Sequence, residues 1–351
     1  MRQLALMEEQ LQVLGELRQR ALASGAAPAQ ATAAAIPTCQ PSPEPGIPPR
    51  PDRAPDSRVG PPEELHPQIL PLTEAQRGML ALTLMDPEAN RAYAESITLR
   101  FQGPLEAGLL HQALQHVVDR HGALRTTFAP SAEHQIVHPA RTVDLPLVDF
   151  TRFSEADRAR ELESWVREEE QLPMDLVEGP LMRARLLRVD PQEHFLVLTL
   201  HHLISDGHSF GLLVSELKEF YNGLRNGTTP SLPRPPGYQA HIDWVSARQA
   251  GDQAGADEAY WTGQFSSGIP GLDLPADLPR PPRFGFRGGR VTTTVDAGRA
   301  RAWRKAGARQ SCTLFMTLLA GFHSLLHRLT GQDRVMCGTP SAPPPVTPAN
   351  D

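Results

Sequence analysis

The chain has 351 residues, 40% apolar and 21% charged, enough for about two compact domains and too long for a small disulfide-stapled scaffold. A formal charge of −6 and a pI near 6.1 supply no broad positive field for a phosphate backbone, so nucleic-acid binding is not expected. Cys39, Cys312 and Cys337 are far apart without CxxC spacing, no apolar run approaches the roughly 20 residues of a membrane helix, and Glu8 and Glu9 interrupt any signal peptide, so the expected protein is cytoplasmic, with no membrane and no metal.

Residues 1–24 are predicted to form an amphipathic docking or linker helix, since Leu4, Met7, Leu11 and Leu14 fall at three- and four-residue steps among charges. Residues 25–63 are predicted to be a disordered linker. Proline, alanine and serine dominate there, and too few large apolar residues are present to offset the entropy of ordering. A folded lobe is expected over 64–236. Thr73 and Gln76 have the spacing of a capping box, opening a helix that runs to about Met85. A strand at Ser96 to Phe101, a helix at Leu105 to His121 and a strand at Leu124 to Phe128 follow. The 144–149 region reads as a solvated face, as does the acidic run Glu168 to Glu170 in a charged helix from about Glu155 to Glu170. Two apolar strands, Leu181 to Val189 and His194 to His201, turn at Asp190-Pro191 as a hairpin, and a helix from Phe210 to Leu224 ends at Asn226-Gly227.

The proline-rich text from Pro230 to Gly237 marks a lobe boundary, and 237–351 is read as the start of a second lobe, cut short. Its expected elements are helices at about Tyr238 to Arg248, Asp257 to Phe265, Gly298 to Ala308 and Thr313 to Thr330, with strands near Val291 to Val295 and at Val335-Met336. The last helix carries Leu314, Leu318, Phe322, Leu325 and Leu329 on one face, with no second sheet in the text to cover it.

The chemistry concentrates in His201-His202-Leu203-Ile204-Ser205-Asp206-Gly207. On a strand, Leu196, Leu198, Leu200 and His202 share one side while Val197, Thr199 and His201 share the other, so the two histidines point apart. If the leucine face is buried, His202 ends it near the interior, where a substrate channel would lower its basicity and keep the imidazole neutral. Asp206 and Gly207 are read as the following turn, glycine permitting positive φ or close approach of a ligand.

The arrangement of His201, His202, Asp206 and Gly207 resembles the HHxxxDG signature of the condensation domains of nonribosomal peptide synthetases. Leu72-Thr73-Glu74-Ala75-Gln76 resembles that family's opening motif, and the stretch Asp119 to Phe128 is similar to its RHExLRTxF block, with Gly122 where the family has glutamate. Tyr238 to Trp244 matches its YxDYAxW block in part, and Gly331 to Pro340 resembles the approach to its next motif, without the Gly-Arg ending.

The resemblance implies an α+β fold, a two-layer α/β sandwich in two chloramphenicol acetyltransferase-like lobes. It also implies amide-bond formation between acyl groups held on 4'-phosphopantetheine arms of upstream and downstream carrier proteins, alongside other synthetase or polyketide synthase modules. No cofactor binds directly. His202 either removes the acceptor amine's proton or orients the amine and stabilises the tetrahedral intermediate. By the same resemblance an ion pair of Asp206 with Arg125 holds the loop in shape; Arg120 is a weaker candidate for that support, set against a solvated helix-end arginine. His201 anchors the strand end, the Gly207 N–H either faces substrate or belongs to a plain turn, and Trp244 packs between lobes. His208 has no role carried over. Two alternatives stand beside this reading: a wax-ester or diacylglycerol synthase type acyltransferase, which uses a similar HHxxxDG, and a noncatalytic docking remnant.

Overall fold

A computed structural model describes residues 66–339 except 229, 280, 283, 284, 287, 290 and 292. The expected helix at 1–24, the linker at 25–63, Cys39 and the tail from Pro340 lie outside those residues. The chain divides into two compact units, the first ending at Tyr238 and the second beginning at Gln239.

The first unit opens with β1 (Gln68–Pro71), α1 (Glu74–Met85), α2 (Pro87–Ala92), β2 (Ala94–Gln102) and α3 (Ala107–Arg120). A 3-10 turn at Gly122–Arg125 leads to β3 (Thr126–Phe128), β4 (His134–Val137), β5 (Leu147–Asp149) and α4 (Glu155–Gln171). The hairpin of β6 (Met182–Asp190) and β7 (Glu193–His201) and then α5 (Gly207–Arg225) complete it. The main sheet has the order β2-β7-β6-β5, antiparallel except for β5, which runs parallel to β6; a smaller antiparallel sheet is ordered β1-β4-β3.

Both faces of the main sheet are covered. Leu110, Leu114 and Val117 of α3 and Leu213, Leu217 and Phe220 of α5 pack on Leu196, Leu198 and Leu200. On the other face Leu162 of α4 and Phe150 cover Leu187, Phe195 and Val197. Strand β7 is therefore a near-continuous apolar run, as a strand buried on two sides must be. A third cluster, with Leu72, Leu80, Phe128, Met174, Leu176, Leu181 and Leu203, lies where α1 and the small sheet meet the open end of the hairpin.

Several expectations are corrected. Leu124 and Arg125 belong to the 3-10 turn rather than a strand, because Leu124 N–H is drawn back to the His121 carbonyl at 3.0 Å. The hairpin turns at Pro191-Gln192, where the Asp190 side chain accepts the Gln192 N–H at 3.0 Å. The 144–149 region is solvated as expected, with Asp144, Pro146 and Leu147 exposed, but Leu147–Asp149 also pairs with β6 as an edge strand. In the acidic run Glu168 is exposed as expected, but Glu169 is buried and accepts from the Arg183 guanidinium at 2.8 Å. The elements β1, α2, β4 and β5 were not expected.

In the second unit lie most of α6 (Tyr238–Ala250), then α7 (Asp252–Gln264), α8 (Ala297–Ala308) and α9 (Leu314–Thr330). The helical expectations hold within a few residues. The strands expected at 291–295 and 335–336 do not form among the described residues: no partner strand is described in this unit, and Val291 is 98% exposed. Ile242, Gly307 and Leu326 are its buried residues among those described.

Candidate functional site

Strand β7, interior to the main sheet, carries the HHxxxDG segment to one end of the strands and stops at His201. There the backbone is held from both sides: the His201 N–H donates to Leu181 at 3.0 Å and the His202 N–H to Tyr93 at 2.8 Å. The chain then doubles back, with the Ile204 N–H and the Ser205 hydroxyl both donating to the His201 carbonyl, at 3.0 and 3.2 Å. These bonds fix the path of the turn before any side chain of the motif acts.

The two histidines occupy opposite environments. His201 is fully buried, its Nδ1 accepting the Leu203 N–H at 3.2 Å. Burial, reinforced by the neighbouring His202, lowers its pKa to about 4. Lowered basicity is thus found at His201, and at neutral pH that ring is an uncharged anchor. The side chain of His202 is 35% exposed, with Nδ1 4.0 Å from Glu95 Oε2 across the β2–β7 pair. Of the two rings, His202 is the one that an incoming reactant can reach.

Asp206 and Gly207 do not form a free turn; they start α5. Asp206 is its N-cap, with Oδ1 accepting the Ser209 N–H at 2.9 Å and the Ser209 hydroxyl at 2.7 Å. Its desolvation opposes ionisation, but the Ser209 hydrogen bonds and nearby His208 prevail and leave its pKa below the ordinary carboxylate value. Gly207 is the first helical residue, without left-handed backbone, and a Cβ there would meet no atom within 4 Å. Neither backbone strain nor packing among the described residues requires glycine at this position.

The expected Arg125–Asp206 ion pair is not formed. Arg125 is buried, and its guanidinium donates to the carbonyls of Val118 at 3.2 Å, Pro139 at 2.8 Å, Asp119 at 3.4 Å and His138. The 3-10 turn aims this side chain at the end of α3 and the strand exit of β4, so it ties backbone together there instead. Arg120 is not solvated and does not support the motif loop. It grips Glu216 of α5 with Nε at 3.1 Å and Nη2 at 3.2 Å, while His121 Nε2 meets the same carboxylate at 2.7 Å. Glu216 is desolvated, which opposes its charge, but the bonds to Arg120 and His121 outweigh this and lower its pKa. The cationic end of α3 is thereby fastened to α5, the helix that Asp206 caps. Trp244, on α6 in the second unit, stacks on His241 at 6.1 Å, with the Arg248 guanidinium 5.8 Å from its ring centre.

Sequence reasoning missed the link between the opening motif and the histidine turn. Gln76 closes the capping box as expected, its Oε1 accepting the Thr73 N–H at 3.1 Å, but its Nε2 also donates to the Leu203 carbonyl at 3.3 Å and to Gln135 at 3.2 Å. Gln135 donates in turn to Pro71 at 3.0 Å. A buried glutamine inside a motif was the available signal. Tyr238 was also missed: it is hydrogen-bonded to Thr73, and burial, with the Asp206 carboxylate nearby, raises its phenol above the ordinary value.

Residues 66–343 match the family model described as "Condensation domain". The chain is 36% identical over 277 residues to chondramide synthase of Chondromyces crocatus, a match covering 78% of this chain and 7% of that one. It is also 36% identical over 281 residues to the phosphinothricin tripeptide synthetase PhsB of Streptomyces viridochromogenes, covering 78% and 23%. The chain therefore spans a small part of the curated relatives it matches. Among solved structures, the first condensation domain of the calcium-dependent antibiotic synthetase superposes with a TM-score of 0.63 at 22% identity, covering 76% of this chain and 62% of that one. The starter condensation domain of rhizomide synthetase gives 0.51 at 26% identity, covering 56% and 50%. These neighbours share the α+β, chloramphenicol acetyltransferase-like fold, and the synthetase relatives do not favour the wax-ester alternative. With the histidine turn, its capped helix and the opening motif matched in one order along the chain, this protein belongs to the condensation-domain family of nonribosomal peptide synthetases.

Proposed function

We propose that this chain serves amide-bond formation between an acyl or peptidyl thioester donor and an aminoacyl thioester acceptor, each held on the 4'-phosphopantetheine arm of a carrier protein. Upstream and downstream carriers and further synthetase or polyketide synthase modules are its partners, and no cofactor is needed beyond those arms. The reaction is assigned to the cytoplasm. Among the described residues no helix is long and apolar enough to cross a membrane.

The acceptor amine attacks the thioester carbonyl carbon, the C–S bond breaks, and the proton lost by the amine ends on the departing thiolate. His202 either relays that proton or orients the amine and stabilises the dipolar tetrahedral intermediate. His201 anchors the strand end. Asp206 shapes the turn as the N-cap of α5, and the Gly207 N–H, at the first helical residue, either faces the substrate or belongs to a plain turn. Arg125, Arg120 and Trp244 are support: the first binds carbonyls at the end of α3 and just after β4, the second joins α3 to α5, and the third packs within its own unit.

The observation that carries this reading is the contrast at the end of β7, where His201 is sealed and uncharged and the adjacent His202 is partly exposed. Acyl-loaded and aminoacyl-loaded carrier proteins are incubated with the chain, and the condensed product on the acceptor carrier is followed by intact-protein mass spectrometry. His202→Ala is expected to slow product formation by about 100-fold or more if the imidazole acts as acid or base. Turnover equal to wild type in that variant removes His202 from the mechanism.

A further inference from the structure

The chemistry assigned to His202 leaves open which of its ring nitrogens works and what orients the ring. Strand register supplies the first constraint. Glu95 lies opposite Leu200 in the β2–β7 pair, and it shares a sheet face with Ile97, whose side chain joins Leu198 and Leu200 in the main core. His202 continues the same face one step beyond Leu200. At the open end of an apolar face, the sheet thus sets one carboxylate and one imidazole side by side.

The second constraint is accessibility. His202 Nδ1 is sealed from solvent and has no hydrogen-bond partner among the described residues. Glu95 Oε2, 4.0 Å away, is within ion-pair range but beyond hydrogen-bond length. Glu95 is itself half-exposed and has slack to close that gap by rotation. Among the described residues Glu95 of β2 is the charged group within ion-pair range of the ring, and the adjacent His201, on the other strand face, is uncharged at neutral pH. A nitrogen shut away from water must find its partner in the protein. The exposed third of the ring accordingly lies on the Nε2 side.

We propose that Glu95 is a positioning residue for His202, its carboxylate accepting the Nδ1–H so that the lone pair of Nε2 is presented to the acceptor amine. In a histidine with two distinct nitrogens, the hydrogen bond made by one decides which tautomer the other offers. A carboxylate also offsets the positive charge of the ring if Nε2 takes the amine's proton. The inference rests on His202 serving the amide-forming site, but the tautomer arm of its test does not.

The chain is labelled with 15N in its histidine rings, and two-bond 1H–15N spectra are recorded at a pH where the rings are neutral, with His202 assigned from its loss in His202→Gln. Wild type is expected to show His202 as the Nδ1–H tautomer. Glu95→Gln, which keeps an acceptor oxygen, is expected to preserve that tautomer, whereas Glu95→Leu shifts it toward Nε2–H. An Nε2–H tautomer in wild type, or spectra unchanged in Glu95→Leu, overturns the proposal. In the carrier-protein assay, Glu95→Leu should reduce the turnover number about 10-fold with little change in KM for the acceptor carrier. Full turnover in Glu95→Leu also overturns it, because the orientation then has no consequence. Absence of amide product from wild type that shows the expected tautomers counts against the amide-forming function and leaves the Glu95–His202 pairing standing.

Discussion

Helices α3, in the first unit, and α9, in the second, carry apolar residues at the same helical spacing. Leu110, Ala113, Leu114, Val117 and Val118 of α3 are buried against the main sheet and α5. Along α9, Leu318, Phe322, Leu325 and Leu329 remain about half exposed, and Leu326 is the buried residue. Periodicity specifies a helix and chooses a face for it. What covers that face comes from elsewhere in the fold, and in the first unit it comes from strands that the helices themselves hold in register. The polar contacts follow the same division: the ion pair of Arg120 with Glu216 spans two packed helices, whereas in the second unit Arg299 pairs with Asp296 within one exposed turn.

The sharpest way to break that contrast is to remove Glu216. Glu216→Ala strands Arg120 and His121 in a half-buried setting and is expected to cost about 3 to 5 kcal/mol, read from urea unfolding. A loss below about 1 kcal/mol, the level of an exposed pair, would mean that the first unit does not enclose its ion pairs as described.

Next in size is the buried histidine. The folded pKa of His201, about 4, lies below its ordinary value near 6.5. Above pH 6.5 the ring is neutral in both states and its contribution is fully present. As pH falls from 6.5 to about 4, the unfolded chain binds a proton that the folded chain refuses, and about 3 kcal/mol is lost. His201→Asn places an acceptor near Nδ1 without a titrating ring, so its stability should fall less than that of wild type between pH 7 and 4.5. Parallel declines would refute the assignment.

A smaller effect is expected at the start of α5. Asp206→Ala removes an N-cap and should cost about 1 kcal/mol, with Asp206→Asn close to wild type. Combined with Arg125→Ala, the two losses should add to within about 0.5 kcal/mol, because the residues have no bond in common. A coupling above about 1 kcal/mol would restore the ion pair between them.

The smallest effect is predicted on α9. Leu325→Ser should change stability by less than about 0.5 kcal/mol, as expected where a side chain is already half in water. A loss of several kcal/mol would show that this face is covered in solution.

These contrasts also set how much was legible in the sequence. The long helices and the hairpin were readable because spacing and turn residues report them directly. Strands β1, β4 and β5 are three or four residues long and hold their places by pairing with distant segments, so no local pattern announces them. The candidate site divided in the same way. His201, His202 and Asp206 stood out by spacing, but the partners of Asp206, Arg125 and Arg120 depend on which elements come together. The family likeness suggested one ion pair, and the fold made two other arrangements. Glu95, and the link from Gln76 to Leu203, went unread because each reaches the histidine turn only through strand register or tertiary contact.

The position of β7 within its sheet has a consequence for motion. Both of its edges are paired, to β2 over nine residues and to β6, and both of its faces are covered. Backbone amides in such a strand exchange with solvent only when the surrounding unit opens as a whole. The HHxxxDG turn is the direct continuation of that strand, with His201 and His202 each donating an N–H to a flanking segment. The histidine turn therefore shares the slowest-opening part of the unit, and the spacing of its two imidazoles is expected to survive the local fluctuations that loosen ordinary loops.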